Sequence, residues 1–333
     1  GVWEGSDIER DGRESSEAHI GVGGGGKTHT NLIDTGLCNV LYLAPTYKLA
    51  RKKKEEYSDR GIDVAVWAKI TNDPETKRNF KRKYNVLIFD EVSMMTEKAK
   101  DGILKDFGDM CLVLFCGDPA YQLPPVNSDS LVEMTTKNIG KVVHYNVNYR
   151  CKCPELQSIL TSIRESIDKG RNDICQVFNK LRERAIPFTY LVDDMILSPT
   201  HIGKDNHTAR YGSISGLTLE IDKLKSIKNR DPNEDYRLEC FQNELNSHRD
   251  SGLVVSDKWY VTTKNGEHSN GDIVVGAKPT GVKSHLQHAF TVHAVQGETA
   301  ENKLIIDRGG IRNMRMLYTA LSRAQTMDQI FVV

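Results

Sequence analysis

A glycine-rich segment near the start of the chain carries the residue types that bind phosphate. Residues 21–28 read GVGGGGKT and fit the pattern G-x-x-x-x-G-K-[ST]. Glycines let the backbone approach a phosphate closely and aim several N–H groups at it from the start of the next helix. Lys27 supplies a point charge for the β- and γ-phosphates, and the Thr28 hydroxyl is a natural Mg²⁺ ligand. The predicted nucleotide contacts in this run are Gly23, Gly24, Gly25, Gly26, Lys27, Thr28 and His29.

An acidic pair follows an apolar run further along the chain. Residues 85–90 (NVLIFD) read as a buried parallel strand that ends at a carboxylate, where α/β sheets place their ligands. Asp90 is therefore predicted to hold Mg²⁺, and Glu91 to orient or deprotonate an attacking water. A flexible linker is the alternative for the glycine run, but a linker requires neither Lys-Thr at its end nor this acidic strand. Together the two features predict binding and hydrolysis of a nucleoside triphosphate.

Bulk composition limits the class of protein. The 333 residues contain 45 Lys plus Arg and 45 Asp plus Glu, so any nucleic-acid surface must be local. Two basic clusters, residues 51–54 and 77–83, are predicted to be solvated helix faces unless they lie beside a strand-binding groove. Seven irregularly spaced cysteines indicate free thiols in a reducing compartment. No run approaches the roughly 20 apolar residues of a membrane span, so we expect a soluble intracellular protein of the cytoplasm or nucleus, with no membrane partner.

Short apolar runs alternate with charged helical stretches, which is typical of βαβ units on a parallel sheet. In the first half these runs are residues 40–43, 86–89, 112–115 and 142–145. A second series comprises residues 195–197, 289–292, 304–306 and 330–333. The predicted organisation is a first lobe at 1–150, a helical connector at 151–188, a second lobe at 189–212 and 285–333, and a small β-barrel insert at 213–284.

Further motifs appear in a fixed order. They are GDPAYQLPP at 117–125, NYR at 148–150, TVHAVQGET at 291–299 and YTALSRA at 318–324. With the glycine loop and the acidic pair, the chain from about residue 18 to its end resembles a superfamily 1 helicase of the RecD-like branch. The resemblance implies an α/β fold of two RecA-like P-loop lobes with parallel sheets, and a small SH3-like insert in the second lobe.

The resemblance also implies roles for residues outside the glycine loop. Gln122 would sense the γ-phosphate and couple it to the nucleic-acid track. Arg150 and Arg323 would be arginine fingers that reach the triphosphate across the cleft between the lobes, and an added guanidinium is typically worth about 10³ to 10⁵ in rate. A surface salt bridge is the alternative for either arginine. Gly297 and Glu298 would contact the nucleotide from the second lobe.

The nucleic-acid track is placed by the same resemblance at strand ends of both lobes. Small hydroxyls and backbone N–H groups there suit phosphate contacts that position a strand without reading its sequence. Tyr47, Tyr121 and His201 are candidate stacking platforms, with an ordinary core or surface aromatic as the alternative for each. The predicted contacts are Pro45, Thr46, Tyr47, Thr200, His201, Thr291 and His293.

The chain departs from the family pattern in two places. Residues 1–20 contain no glutamine, so the upstream glutamine that reads adenine in many relatives cannot be placed; ATP is the expected nucleotide, with other NTPs left open. Relatives often carry a hairpin wedge before the acidic pair, and here only residues 71–84 are available for it. We interpret the basic run at 77–83 as a charged loop, with a wedge tip as the alternative.

The leading hypothesis is a monomeric motor that hydrolyses ATP with Mg²⁺, moves along single-stranded nucleic acid and unwinds duplexes. The resemblance implies 5′-to-3′ movement; DNA is favoured over RNA as the track. One alternative is a viral RNA helicase, because compact viral helicases share much of the motif set. Another is a nucleic-acid-stimulated ATPase that remodels without unwinding, as one module of a larger polyprotein or replication complex.

Overall fold

The computed structural model describes residues 16–21, 39–71, 74–126, 128, 130–145, 151–182, 190–247 and 256–333. The chain divides into two compact units, Gly1–Lys152 and Cys153–Val333. Among the described residues, no helix combines the length and apolar character that a membrane crossing needs. All six cysteines in the described part of the chain are free thiols.

A six-stranded sheet with only parallel pairings forms the centre of the first unit, in the order β3-β2-β4-β5-β1-β6. The strands are β1 (Ser16–Gly21), β2 (Val40–Ala44), β3 (Asp63–Val66), β4 (Val86–Phe89), β5 (Leu112–Gly117) and β6 (Lys141–Tyr145). The helices are α1 (Tyr47–Glu56), α2 (Trp67–Thr71), α3 (Pro74–Lys83) and α4 (Glu97–Phe107). The predicted strands at 40–43, 86–89, 112–115 and 142–145 are confirmed as β2, β4, β5 and β6.

Both faces of this sheet are buried, because successive side chains on a strand point to opposite faces. In β4, Leu87 and Phe89 pack in one core cluster with Ile103 and Phe107 of α4. Val86 and Ile88 of the same strand belong to a second cluster on the other face, and that cluster includes Leu49 of α1. The parallel arrangement brings the carboxyl ends of all six strands to one edge of the sheet.

A four-stranded parallel sheet lies in the second unit, in the order β11-β7-β12-β13. Its strands are β7 (Met195–Leu197), β11 (Ala289–Phe290), β12 (Leu304–Ile306) and β13 (Ile330–Val332). A separate antiparallel sheet contains β8 (Lys258–Val261), β9 (Ile273–Val275) and β10 (Ser284–Leu286). The helices are α5 (Pro154–Asp168), α6 (Ile174–Arg182), α7 (His201–Tyr211), α8 (Ile214–Lys225), α9 (Pro232–Ser247) and α10 (Met314–Leu321).

Three segments differ from or refine the sequence-based expectation. The basic run at 77–83 lies in helix α3, so its prediction as a helix face is confirmed and its interpretation as a charged loop is wrong. The helix begins at Pro74, carries Glu75 in its first turn and ends with three basic residues that suit the helix dipole. The predicted strand at 289–292 stops at Phe290, because a 3₁₀ turn, His293–Val295, follows closely. In the segment 213–284 the described residues form α8, α9 and a three-stranded sheet, and closure into an SH3-like barrel stays a prediction.

Candidate nucleotide and nucleic-acid sites

The strand β1 delivers the chain to the glycine-rich segment at the carboxyl edge of the first sheet. Gly21 is the last residue of β1 and has φ +146°, and a Cβ at this position would lie 2.0 Å from the backbone oxygen of Tyr145. Only glycine therefore fits where the loop begins. The predicted phosphate contacts at residues 23–29, and also Arg150, lie outside the described residues.

Asp90 lies directly after β4, and both of its carboxylate oxygens are oriented by hydrogen bonds. Its Oδ1 accepts the N–H of Glu91 at 2.9 Å, and its Oδ2 accepts the hydroxyl of Tyr42. Burial of the Tyr42 ring, together with the Asp90 charge beside it, raises the pKa of the phenol well above its ordinary value. The hydroxyl therefore stays a donor at neutral pH and holds the carboxylate in one orientation.

Glu91 has a left-handed backbone conformation, with φ 54° and ψ 46°. Positive φ is uncommon for a residue with a side chain, and strain of this kind costs roughly 1 to 3 kcal/mol and concentrates at functional sites. In the described part of the chain the other such residue is Asn39, a type that tolerates the conformation. Glu91 opens the 3₁₀ turn Val92–Met94, and its carbonyl accepts the N–H of Met94 at 3.0 Å. The first turn after β4 thus keeps a strained glutamate beside Asp90.

The turn after β5 packs against this strained turn. A Cβ at Gly117 would lie 2.8 Å from Val92 Cγ2 and 2.9 Å from Val92 N, so a side chain would separate the two turns. The N–H of Gln122 donates to the carbonyl of Asp118 at 3.0 Å, and both residues are buried. Because β5 lies between β4 and β1, Gln122 follows a strand that separates the glycine loop from the acidic pair. The structure brings Gln122, the acidic pair and the end of β1 to one sheet edge.

In the second unit, Arg323 connects two of the predicted motifs. It is 6% exposed, and its Nη1 donates to the carbonyl of Glu298 at 3.0 Å, while its Nε donates to the carbonyl of Thr319 at 3.1 Å. Gly297 precedes Glu298 with φ +85°. The predicted triphosphate contacts Gly297, Glu298 and Arg323 are therefore adjacent within this unit. The guanidinium bonds backbone carbonyls, which differs from the surface salt bridge considered as its alternative.

The predicted track residues of the first unit lie where β2 passes into α1. Thr46 is the N-cap of α1, and its Oγ1 accepts the N–H of Leu49 at 3.3 Å. Pro45 precedes it, and the Tyr47 side chain is 41% exposed at the start of the helix. Helix N-termini favour anions, because their first N–H groups lack partners within the helix. An exposed aromatic ring beside such a terminus can stack on a base.

The predicted track residues of the second unit converge from two neighbouring strands. Thr200 is the N-cap of α7, its Oγ1 accepts the N–H of Gly203 at 3.0 Å, and His201 is exposed at the first helical position. Phe290 of β11 is paired in parallel with Leu197 of β7. Thr291 and His293 therefore leave the sheet at the same edge as Thr200 and His201.

Asp307 and His207 support this edge of the second sheet, and the sequence analysis did not identify them. Asp307 follows β12, and its Oδ2 lies 2.7 Å from Nε2 of His207 on α7. Its Oδ1 accepts the N–H of Gly309 at 2.8 Å. Burial alone would raise the pKa of Asp307, but the hydrogen bonds from His207 and Gly309 outweigh it and hold that pKa below its ordinary value. Because the pair spans 100 positions of the chain, no local pattern signals it.

The first edge has the donor set that Mg²⁺ uses in nucleotide sites. Mg²⁺ is bound there by one or two protein oxygens with phosphate and water completing the octahedron. Asp90 is an oriented carboxylate at the right edge of the sheet, and Thr28 follows the strand that begins the glycine loop. Within the described residues there is no group of three or more His, Cys, Asp or Glu side chains that could hold a metal ion.

The comparisons with known proteins agree with this arrangement. The AAA domain family matches residues 12–184, and the chain belongs to that family. None of the curated proteins is similar enough in sequence to count as a relative.

Several solved structures with similar folds are helicases. A structure of two coordinating Pif1 helicases at forked double-stranded DNA has a TM-score of 0.61 at 17% identity, over 97% of this chain and 88% of that chain. Bacteroides Pif1 bound to single-stranded DNA has a TM-score of 0.59 at 17% identity, over 96% and 89%. Bacteroides Pif1 in complex with ADP-AlF4 has a TM-score of 0.50 at 16% identity, over 96% and 88%. The chain has the fold of these Pif1 structures, so the predicted α/β fold of RecA-like lobes is confirmed, whereas the SH3-like insert, the RecD-like branch and a viral origin stay predictions.

Proposed function

We propose that this chain is an NTP-dependent nucleic-acid helicase that uses ATP and moves 5′ to 3′ on single-stranded DNA. The observation that carries the proposal is the carboxyl edge of the first sheet. There Asp90 and a strained Glu91 follow β4, and β5 lies between β4 and β1, the strand that leads into the glycine loop. A fold shared with helicases crystallised on DNA supports the nucleic-acid part of the proposal.

The proposed division of work at the nucleotide follows from residue chemistry. Lys27 and the loop N–H groups bind the phosphates, and Thr28 and Asp90 hold Mg²⁺. The metal, when bound, neutralises charge on the phosphate oxygens. Glu91 orients the attacking water or takes its proton. The constrained backbone conformation of Glu91 limits the positions that its carboxylate can take. Gln122 contacts the γ-phosphate, and its backbone hydrogen bond to Asp118 couples that contact to the turn after β5.

Arg323 has a more specific role in the proposal. Its guanidinium now binds the carbonyls of Thr319 and Glu298. Acting as an arginine finger with Arg150, it would exchange such a carbonyl for a phosphate oxygen. Loss of that carbonyl bond would loosen the loop that carries Gly297, so nucleotide contact and the second unit's loop would be coupled. Closure of the two lobes around the nucleotide would then drive movement along the strand.

DNA is the proposed track because Bacteroides Pif1 was crystallised on single-stranded DNA and shares this fold. The two capped helices supply the chemistry. Thr46 and Thr200 fix the N-termini of α1 and α7, where N–H groups attract phosphates. Contacts of this kind position a strand without reading its sequence. The 5′-to-3′ direction rests on the family resemblance.

A second candidate is an ATPase stimulated by nucleic acid that does not unwind duplexes by itself. The residues available for a hairpin wedge fold as helices α2 and α3 instead. Phe80 of α3 packs against the core of the first unit, which anchors this segment to the sheet. A segment anchored in this way is a poor candidate for a projecting wedge.

The deciding experiment measures NTP hydrolysis with and without single-stranded DNA and, separately, single-stranded RNA, at low and moderate salt. We expect strong stimulation by DNA that falls with salt, since phosphate contacts dominate such binding. Lys27→Ala is the control and should abolish hydrolysis in every condition. Unwinding of a 5′-tailed duplex would exclude the second candidate, stimulation by RNA alone would move the track to RNA, and absence of stimulation by either polymer would overturn the helicase proposal.

A further inference from the structure

A cavity of about 330 Å³ lies in the second unit among α7, α8, α9 and β10. Each of these elements contributes a basic side chain to the lining: Lys204, Lys223, Arg237 and His285. His201, one of the predicted track residues, lines the same cavity. The cavity therefore begins within one helical turn of the Thr200 cap.

The acidic residues of the lining are mostly engaged by other groups. Arg237 lies 2.7 Å from a carboxylate oxygen of Asp205 and 3.7 Å from one of Glu220. Asp231 and Glu234 each accept the other's backbone N–H, at 2.7 and 3.1 Å, at the start of α9. These carboxylates serve an ion pair and a helix cap.

Lys204 and Lys223 are the cationic side chains of the lining for which the described residues supply no ion pair. Among the described residues neither lysine has a carboxylate oxygen within 4.0 Å, and Lys223 Nζ donates to the carbonyl of Ser284 at 2.7 Å. Partial burial lowers the pKa of both lysines, against the opposing charges of Asp205 near Lys204 and of Glu220 near Lys223, and the charge of Arg237 acts in the same direction as burial. Burial also lowers the pKa of His285 to about 4, with additional effects from Arg237, Lys223 and Lys204. His285 is therefore neutral at pH 7, while Lys204, Lys223 and Arg237 carry the positive charge of the lining, and an anion between the two lysines would offset the repulsion among these cations.

Glu220 adds a requirement of the opposite kind. Its side chain lines the cavity at 1% exposure, and its Oε1 has no hydrogen-bond partner among the described residues. A buried carboxylate oxygen without a donor is costly, so the site favours a ligand that offers an N–H or O–H group. A nucleotide combines both groups, because its phosphate can lie against the lysines and its base or sugar carries N–H or O–H donors.

We propose that this cavity binds one nucleotide of the single strand, with its backbone phosphate against Lys204 and Lys223 and a base or sugar donor against Glu220. The site would extend the track beyond Thr200 and His201, and it rests on the function proposed above. A free phosphate compound shares the same chemistry, so the test separates the two sources.

The test measures binding of a fluorescein-labelled oligothymidylate by fluorescence anisotropy across a series of salt concentrations. Log K falls as log salt rises, and each lost phosphate contact lowers the magnitude of that slope by about 0.7 for single strands. Lys204→Gln and Lys223→Gln should each lower it by about that amount, and the double variant by about 1.4. Lys225→Gln is the matched control, because Lys225 is exposed on the same helix, as Lys223 is, but does not line the cavity. Its slope should match that of the unmodified chain.

The outcomes separate this inference from the proposed function. If the unmodified chain does not bind the oligonucleotide, the proposed function fails and the cavity assignment with it. If the chain binds but the double variant keeps the full slope, the cavity assignment alone is wrong. Lys223→Arg keeps the charge and should keep the slope, which shows that a loss in Lys223→Gln is not a loss of folding. If the double variant loses binding of inorganic pyrophosphate, measured by thermal shift, but keeps its slope, the site serves a free phosphate compound and not the strand.

Discussion

The ends of β2 in the first unit and β7 in the second share one backbone arrangement. Each strand passes through Pro-Thr into a helix, and the threonine, Thr46 or Thr200, caps that helix. In each unit the neighbouring strand ends at an aspartate whose N–H donates back across the sheet. Asp90 N donates to the Leu43 carbonyl at 3.0 Å, and Asp307 N donates to the Leu197 carbonyl at 2.9 Å.

The chemistry of the two aspartates differs although their backbone positions correspond. Asp90 is followed by Glu91, which adds a second carboxylate in a strained turn. Asp307 is followed by Arg308 and is bound by His207 at 2.7 Å. The first edge therefore concentrates negative charge and suits a metal ion with its phosphates. The second edge offsets its carboxylate with basic groups and suits an anionic strand. The backbone fixes the position of each aspartate, and the side chains next to that aspartate decide which kind of ligand suits the edge.

The largest expected effect comes from removing the extra carboxylate of the first edge. Glu91→Gln should lower kcat for NTP hydrolysis by about 10² to 10⁴-fold, the usual contribution of a positioned general base. Hydrolysis assays with saturating single-stranded DNA measure this directly. Unchanged kcat in Glu91→Gln would assign catalysis to another residue and remove the proposed contrast between the two edges.

Glu91→Gly separates the carboxylate from the strain. Glycine adopts φ 54° without a steric cost, so this variant should lose hydrolysis but gain roughly 1 kcal/mol in free energy of unfolding. Urea denaturation of Glu91→Gly beside Glu91→Gln measures the difference. Equal stability of the two variants would mean that the turn stores no strain.

The next effect concerns the second edge. Thr200→Ala with His201→Ala should weaken binding of single-stranded DNA by about 1 to 3 kcal/mol, the range for two lost hydrogen bonds. Basal hydrolysis should stay unchanged. Thr96→Ala is the control, because Thr96 caps α4 in the same way, with its Oγ1 accepting the N–H of Ala99 at 3.1 Å. Equal loss of basal hydrolysis and DNA binding in the double variant would contradict a division into nucleotide and track edges.

The packing behind the second edge predicts a smaller effect on stability. A Cβ at Gly203 would lie 2.2 Å from Ser198 Oγ and 3.3 Å from Asp307 Oδ2. Gly203→Ala should therefore lower the free energy of unfolding by about 1 to 3 kcal/mol and weaken DNA binding. Gly102→Ala is the matched control in helix α4, where nothing lies within 4 Å of the added Cβ, and it should stabilise the chain by about 1 kcal/mol. A neutral Gly203→Ala would show that Ser198 and Asp307 move apart without cost.

A pH dependence of stability is expected from the cavity beside the second edge. The pKa of His285 is about 4 in the folded chain and near 6.5 when unfolded. The unfolded chain takes up this proton first, so the stability contribution is complete above pH 6.5 and falls as the pH drops towards 4. Between pH 7 and pH 5 the loss should be about 2 kcal/mol. Urea denaturation of the unmodified chain and His285→Gln measures it, and an equal pH slope in both would contradict the assignment.

The sequence was sufficient to predict structure where the physical cause lies in residues that are close together in the chain. Residues 86–89 form an unbroken apolar run followed by Asp90, which is sufficient to predict a buried parallel strand with a carboxylate at its end. At 77–83 the prediction of a helix face was right, but the interpretation of the same run as a charged loop in place of a wedge tip was wrong. There Pro74 and Glu75 at the helix start, and Phe80 against the core, stabilise a helix despite the charge.

The sequence by itself determined the order of the motifs, the α/β class and the chemical types at the two sheet edges, because each of these depends on residues close together in the chain. Only the tertiary structure decided which residues support those edges. The Tyr42 hydroxyl on Asp90, the Gly117 turn against Val92, and His207 beside Asp307 all join distant positions. Their meeting depends on the order of strands in a sheet and on packing against it, and neither is encoded in any single stretch of residues.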